Sequence, residues 1–384
     1  MKLKKSFIRE TLGMLLFCFI RIAVPAQALT AELYTASVFT PKDGFTHGVE
    51  GPAVDKTGTI YAVNFARDGT IGMISPAGDA SVFISLPEGS IGNGIRFDNH
   101  GNMLIADYVN HNVFRVDMKT KELKTLAHEP RMTQPNDLAV DSRGHVFASD
   151  PDFKANSGRI WRVDPDGKVS LLDSMSSPAN GIDLSPDEKT FYVSAGKSVY
   201  AYDISKKGEL SHQRLLIAFP DFGVDGLRCD SKGNIYLARF GKGVIAKISP
   251  KGKLLREIVL TGKRCTNVAF GGKDGCTVYV TLMDQGNLES FRAESPGREW
   301  VMSGARSGKT VKINNDAAAK RIVFGNGKIT ATLDYNQKVN ISLLEVNGQT
   351  VIESEAGIYS AIRTSDATCS TVHLSSSPSV QVAD

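Results

Sequence analysis

The architecture is written most plainly in Gln134-Pro-Asn136-Asp137-Leu-Ala-Val-Asp141, because the second half of this stretch returns along the chain at near-constant spacing. Glu50-Gly-Pro-Ala-Val-Asp55 and Asn93-Gly-Ile-Arg-Phe-Asp98 come before it. Asn180-Gly-Ile-Asp-Leu-Ser185, Asp225-Gly-Leu-Arg-Cys-Asp230 and the more degraded Thr266-Asn-Val-Ala-Phe-Gly271 come after. The leading residues, here called anchors, stand at 50, 93, 136, 180, 225 and 266, with spacings of 43, 43, 44, 45 and 41. That period is the length of one four-stranded propeller blade.

The remainder of each repeat agrees. A turn such as Ser142-Arg-Gly144 or Ser231-Lys-Gly233 follows the anchor strand. Then comes a β-prone run: Ile60 to Val63, Met103 to Asp107, Val146 to Ser149, Phe191 to Ser194, Ile235 to Ala238 or Val278 to Thr281. A third strand is expected at Val113 to Val116, Ile160 to Val163 and Val244 to Ile248, ending in Pro- and Gly-containing turns. The region shows no helical periodicity. Six repeats closed into a ring leave no free sheet edge. The last repeat is one strand short after Leu288 to Ala293, and the alternating segment Glu32 to Phe39 is predicted to supply it. The fold class is therefore all-β: a six-bladed β-propeller over 30–299, followed by a small β-sandwich-like C-terminal module.

Outside the repeats the chain changes character. Lys2, Lys4, Lys5 and Arg9, the apolar run Leu12 to Ile20 and Ala26-Gln27-Ala28 form a secretion signal over 1–28. Export to the periplasm or the extracellular space is expected. The apolar run is too short for a permanent span, so no membrane span is expected in the mature chain. Residues 300–320 form a polar linker, and 321–384 a β-rich module with strands at Arg321 to Phe324, Lys328 to Leu333 and Lys338 to Val346. That module resembles the sorting or anchoring tags of secreted proteins. The Ser-rich end, Ser375 to Ser379, is expected to be disordered. A net charge of +4 with scattered Lys and Arg gives no nucleic-acid surface. Cys265 and Cys276 fall in one predicted blade, where they either pair or stay as buried thiols.

The innermost strands of a propeller line its central channel, so the six anchors face one axis. All six carry oxygen: Glu50, Asn93, Asn136, Asn180, Asp225 and Thr266. Calcium takes six to eight oxygen ligands and accepts carboxylates mixed with amide carbonyls. The absence of His and Cys from the anchors argues against zinc or copper. Asn-Gly and Asp-Gly also occur as plain turn chemistry, but Glu50 is a poor turn residue and the register across blades is shared.

On these residues the chain resembles the senescence-marker-protein/gluconolactonase/luciferin-regenerating family of six-bladed propellers. The motifs are Glu50-Gly-Pro, Gln134-Pro-Asn136-Asp137, Pro178-Ala-Asn180-Gly with Ser185-Pro-Asp187, Val224-Asp225-Gly226, and Phe270-Gly-Gly272 with Val278-Tyr-Val-Thr281. The resemblance spans roughly 45–285. It implies a divalent metal, commonly calcium with manganese or zinc as alternatives, held by Glu50, Asn136, Asn180 and Asp225. It further implies hydrolysis of a lactone or similar ester, for which Asp225 is the candidate catalytic residue, as general base or to help orient the attacking water. Asn93, Gln134 and Asp137 are the expected substrate contacts, and Asp137 is equally placed to orient a ligand. Members often carry Arg where this chain has Gln134, which implies a less anionic or differently hydroxylated substrate. Asp107, Asp150 and Asp152 are expected at the rim or in turns. His47 is a loop residue within reach of acid–base work, and Arg96, Arg228 and Arg239 are expected as surface or inter-blade charges. No Gly-Xaa-Ser-Xaa-Gly elbow is present. The expected partner is a small lactone or ester, and the expected state is a monomer. The rival readings are a non-enzymatic binding propeller and an aryl-ester or organophosphate hydrolase on the same site.

Overall fold

A computed structural model describes residues 32–307 and, beyond them, a set of strands between 314 and 381. Six four-stranded antiparallel sheets form the six blades of a propeller. Blade 1 runs from Ala53–Val54 through Ile60–Val63 and Thr70–Ile74 to Ala80–Ser85. Blade 2 starts at Gly92–Phe97, blade 3 at Leu138–Val140, blade 4 at Ala179–Leu184, and blade 5 at Leu227–Cys229. Blade 6 holds Cys265–Gly271, Thr277–Leu282 and Asn287–Arg292, and its outermost strand is Ser37–Val38 from the start of the described chain. Ser37 pairs with Ser290 and Val38 with Glu289, so the first strand closes the ring.

Burial follows position within a blade. The second strands are apolar along their length because both faces meet neighbouring blades, as in Ile60–Val63 and Met103–Asp107, where every residue is buried. Outermost strands such as Leu210–Ala218 are mostly exposed or half-buried. The core lies between blades: Tyr61, Val63 and Ile71 of blade 1 pack on Ile95, Met103 and Phe114 of blade 2.

Glycine after an anchor serves this packing. Gly51 has φ +56, and a Cβ there would meet the Asn93 carbonyl oxygen at 1.9 Å. At Gly226 a Cβ would meet Asn267 Cγ at 2.0 Å. The Xaa-Gly pairs are thus required by the close approach of adjacent inner strands, rather than by turn chemistry alone.

One expectation changes and one open alternative is decided. The polar connector expected from residue 300 begins instead as a helix, α1 (Arg298–Ser307). Glu299 in its first turn complements the positive end of the helix. The helix start is seated on the propeller: Trp300 lies against Gly275, Gly297 against Phe270, and Arg298 Nη2 donates to the Val140 carbonyl at 3.2 Å. Cys265 and Cys276, together with Cys229, are free thiols, so the optional pairing of Cys265 with Cys276 does not form. Beyond α1, the strands Asn314–Asp316, Arg321–Gly325, Ile329–Asp334, Asn340–Val346 and Gln349–Glu353 make a five-stranded antiparallel sheet in sequence order. The expected signal over 1–28 and the Ser-rich stretch 375–379 lie outside the described residues. Among the described residues no helix is long and apolar enough to cross a membrane.

Candidate active site

The anchors stand at or just before the starts of the inner strands, and backbone hydrogen bonds to the second strands fix their direction. Val63 N–H donates to the Glu50 carbonyl at 3.0 Å, Asn136 N–H to Ser149 O at 2.8 Å, and Asp225 N–H to Ala238 O at 2.9 Å. Thr266 Oγ1 is held between Val49 O at 3.0 Å and Thr281 Oγ1 at 2.7 Å. All six anchors line one cavity of about 770 Å³.

The floor of that cavity is rich in oxygen and poor in protons. Glu50, Asn136 and Asn180 are only 6%, 6% and 9% exposed. Glu50 Oε2 accepts hydrogen bonds from the Gly51 N–H and from Asn267 Nδ2, the latter at 3.0 Å. The Asn180 amide donates to the Asp225 carboxylate. The side-chain oxygens Oδ1 of Asn136 and of Asn180 are buried and have no hydrogen-bond partner. A buried carbonyl oxygen left unpaired costs about 1–3 kcal/mol. Here two of them lie in one ring with two carboxylates, an arrangement that an oxygen-seeking cation satisfies at once.

Electrostatics point the same way. Burial raises the Glu50 carboxyl to about 7, against the pull of the Gly51 N–H, Asn267 and Arg96. Burial pushes Asp225 well above the usual carboxylate range, and the charges of Glu50 and Asp137 push it further. No Lys or Arg is among the described residues lining the cavity. Among the described residues no cluster of three or more His, Cys, Asp or Glu could hold a metal. The ring has only two carboxylates and completes its donor set with amide carbonyls. That composition fits calcium better than zinc.

Asn93 lines the cavity and turns its Nδ2 to the Asn136 carbonyl at 3.3 Å. Gln134 and Asp137, expected as substrate contacts, are not on the wall. Gln134 is half-buried and hydrogen-bonds Tyr108, which does line the cavity. Asp137 is fully buried beneath Asn136 and is gripped from three other blades. Arg96 Nη2 and Arg228 Nη1 each reach it at 2.9 Å, and Ile182 N–H donates to it at 3.1 Å. Burial raises its carboxyl to about 7 even against Arg96. Its role is to tie the inner strands of blades 2, 3, 4 and 5 under the site.

Several other residues take one of the two places expected of them or are buried in the fold. Arg96, Arg228 and Arg239 are buried. Asp107 and Asp150 are buried staples: the first accepts from Ser90 Oγ at 2.9 Å, the second from the Thr133 and Gln134 N–H groups at 2.7 Å. Asp152 accepts the Ala155 N–H in a tight turn. His47 lines the cavity with Nδ1 against the Met283 carbonyl at 2.9 Å. A carbonyl only accepts, so Nδ1 carries a proton. Asn267, which braces Glu50, is not among the residues that the sequence pattern singles out, although it occupies the same repeat position as Asp137.

Comparison with known proteins settles the family. Residues 37–284 match the model of the SMP-30/Gluconolactonase/LRE-like region. The chain belongs to that family. A gluconolactonase of Zymomonas mobilis is 26% identical over 270 residues, covering 60% of this chain and 75% of that protein. A 6-deoxy-6-sulfogluconolactonase of Pseudomonas putida is 28% identical over 246 residues, covering 62% and 81%. A regucalcin of Danio rerio is 32% identical over 178 residues, covering 43% and 60%. Among solved structures, a gluconolactonase of Xanthomonas campestris superposes with a TM-score of 0.59 at 23% identity, covering 69% of this chain and 92% of that one. A calcium-binding regucalcin of Agrobacterium tumefaciens gives a TM-score of 0.58 at 23% identity, covering 68% and 97%. The lactonases among these relatives support a lactone hydrolase for this family member. Helix α1 lies beyond the matched residues.

Proposed function

We propose that this family member is an exported, calcium-dependent lactonase whose ion is held by Glu50, Asn136, Asn180 and Asp225. The observation that carries this reading is the pair of orphaned amide oxygens, Asn136 Oδ1 and Asn180 Oδ1, beside two buried carboxylates. Calcium bound there supplies a Lewis acid that polarises a carbonyl oxygen and stabilises the charge gathering on it. Manganese, which also suits carboxylate and carbonyl oxygens, offers the same chemistry, as does zinc with a poorer match to amide oxygens.

The chain's own residues do the rest. Asp225 takes a proton from the attacking water as the new C–O bond forms at the carbonyl carbon. The ring C–O bond then breaks, and the departing alkoxide recovers that proton to give the hydroxy acid. Asp225 lines the cavity floor beside the other proposed ligands, which places it for both transfers. Asn93 and Thr266 complete the polar floor, and Asp137 keeps Asn136 in place from below. Export is inferred from the positive start, apolar run and Ala26-Gln27-Ala28 site of the N-terminus.

The test is hydrolysis of a lactone panel by chelated protein, before and after calcium, manganese or zinc is restored. Calcium-restored turnover that disappears in Asp225→Ala is the expected result. A folded protein that is inert with every metal would favour a binding propeller. N-terminal sequencing of exported material should begin after Ala28, and an intact Met1 would contradict export with cleavage.

A further inference from the structure

We propose, resting on that lactonase reading, that the substrate is an uncharged lactone carrying an aromatic or alkyl substituent, rather than a polyhydroxylated or anionic one. The cavity is two-sided. Its floor is the oxygen ring, while its wall is formed largely by Ile91, Tyr108, Phe153, Val224, Phe240 and Met283. A substituent standing up from the reacting carbonyl therefore meets carbon.

Three polar groups of the wall are already engaged by the protein. Asn64 donates from Nδ2 to the Gly48 carbonyl at 2.7 Å and accepts the Gly69 N–H at 3.1 Å. Asp68 accepts from Thr46 Oγ1 at 2.7 Å, and His47 is tied to Met283 O. Asp68 Oδ2, His47 Nε2 and Asn156 remain open to solvent, so the wall offers a polyhydroxylated chain three such groups against six apolar side chains, and most of its hydroxyls would lose water without replacement.

Charge excludes the anionic class. Glu50, Asp68 and Asp225 line the cavity, and no Lys or Arg is among its described lining residues. Glu50 and Asp225 lie on the floor, where the ion compensates them. Asp68 stays on the wall and repels a carboxylate, phosphate or sulfonate tail.

Size agrees. About 770 Å³ is the volume of a site for a drug-sized ligand, and a bare sugar lactone would leave much of it to water. Phe153 sits at the lip, in the turn between the strands Val146–Asp152 and Ser157–Val163, and is 53% exposed. An isolated exposed Phe is unremarkable on a surface, but at the mouth of a cavity it is the group that an aryl substituent would cover.

The experiment compares the calcium-loaded protein on dihydrocoumarin and on gluconolactone. It also measures, by calorimetry, binding of the two corresponding lactams, which resist ring opening. The expected result is a kcat/KM for dihydrocoumarin at least about 10-fold above that for gluconolactone, with the aryl lactam bound tighter by a similar factor. Phe153→Ser should narrow that ratio about 5-fold through KM, since uniform binding is what it removes. Equal or reversed preference in turnover would overturn the proposed class. If neither lactone is turned over, the hydrolase reading fails and the lactams still decide: tighter aryl binding supports the class, and equal or weaker binding overturns it.

Discussion

Two clusters of buried charge occupy opposite ends of the inner strands, and they are built on opposite rules. At the starts of the strands, Glu50 and Asp225 share a cavity with two unpartnered amide oxygens and no cationic lining residue. At the far ends, the carboxylates Asp183, Glu188 and Glu299 each meet a guanidinium. Arg298 reaches Asp183 at 3.4 Å and Glu188 at 2.9 Å, while Glu299 meets Arg96 at 2.9 Å. Asp137 lies between the two, belonging by contact to the paired set and by chain position to the unpaired one. The same scaffold thus holds charge in two ways. A set that is satisfied internally fixes the fold, whereas a set left short of positive charge is prepared for a ligand.

Removing one member from each cluster should separate the two rules. The largest effect is expected for Asp225→Ala, which should lower kcat/KM on any lactone substrate by about 10³-fold or more, as loss of a base and a ligand together requires. The metal-free variant should nevertheless melt no lower than the wild type, because a buried and repelled carboxylate has gone. A large drop in melting temperature would place Asp225 in the paired, structural class.

Arg298→Ala should behave in the opposite way. It strands the buried Asp183 carboxylate and is expected to cost about 3–5 kcal/mol of stability in denaturant titrations. Calcium affinity measured on the folded fraction should be unchanged. A parallel loss of affinity would mean that the two clusters are coupled through Arg96 and Asp137.

Glu50→Gln probes the upper cluster alone. Calcium affinity is expected to fall on the order of 10²-fold by calorimetry, since one of two charged ligands is lost. Metal-free stability should hold or rise.

The most gradual effect is the dependence on pH. The folded-state pKa of Glu50 is raised to about 7, above its ordinary 4.5, so the folded protein holds a proton between those values that the unfolded chain has released. The stability of the metal-free protein should therefore fall as pH rises from about 5 to 7, and this group adds nothing further above 7. Burial raises Asp183 to about 6, which acts in the same direction over a narrower window. The ion must displace protons from both Glu50 and Asp225, so calcium affinity should rise with pH by at least roughly tenfold per pH unit up to about 7. An affinity independent of pH from 5 to 8 would remove Glu50 from the ligand set.

What the sequence reveals and what it hides divide along the same line. The ring of anchors is legible because repeat period alone brings equivalent positions to one axis. The six anchors stand out from the amino-acid sequence by itself, the family resemblance selects Glu50, Asn136, Asn180 and Asp225 among them, and the closing strand around Val38 is demanded by the short last repeat. The supporting contacts are hidden because each joins residues far apart in the chain. Asn267 braces Glu50 across 217 positions, and Arg228 reaches Asp137 across 91. Arg96 and Arg228 therefore read only as surface or inter-blade charges, and Asp137 as a substrate contact or an orienter of a ligand, with nothing to join the three. Helix α1 leaves little trace in the sequence because it is short and polar, and its place depends on Arg298 and Trp300 docking on blades already formed. The apolar wall is equally hidden, since Phe153 and Phe240 lie in connections that the repeat does not constrain.

Everything said of the upper cluster depends on its four side chains holding one cation, and calcium titration of the chelated protein asks whether they do. One calcium per chain is predicted, bound with proton release near neutral pH and lost in an Asn136→Leu, Asn180→Leu double variant that remains folded. A folded wild-type protein that binds no calcium, or a double variant that binds it as tightly as the wild type, would contradict that prediction.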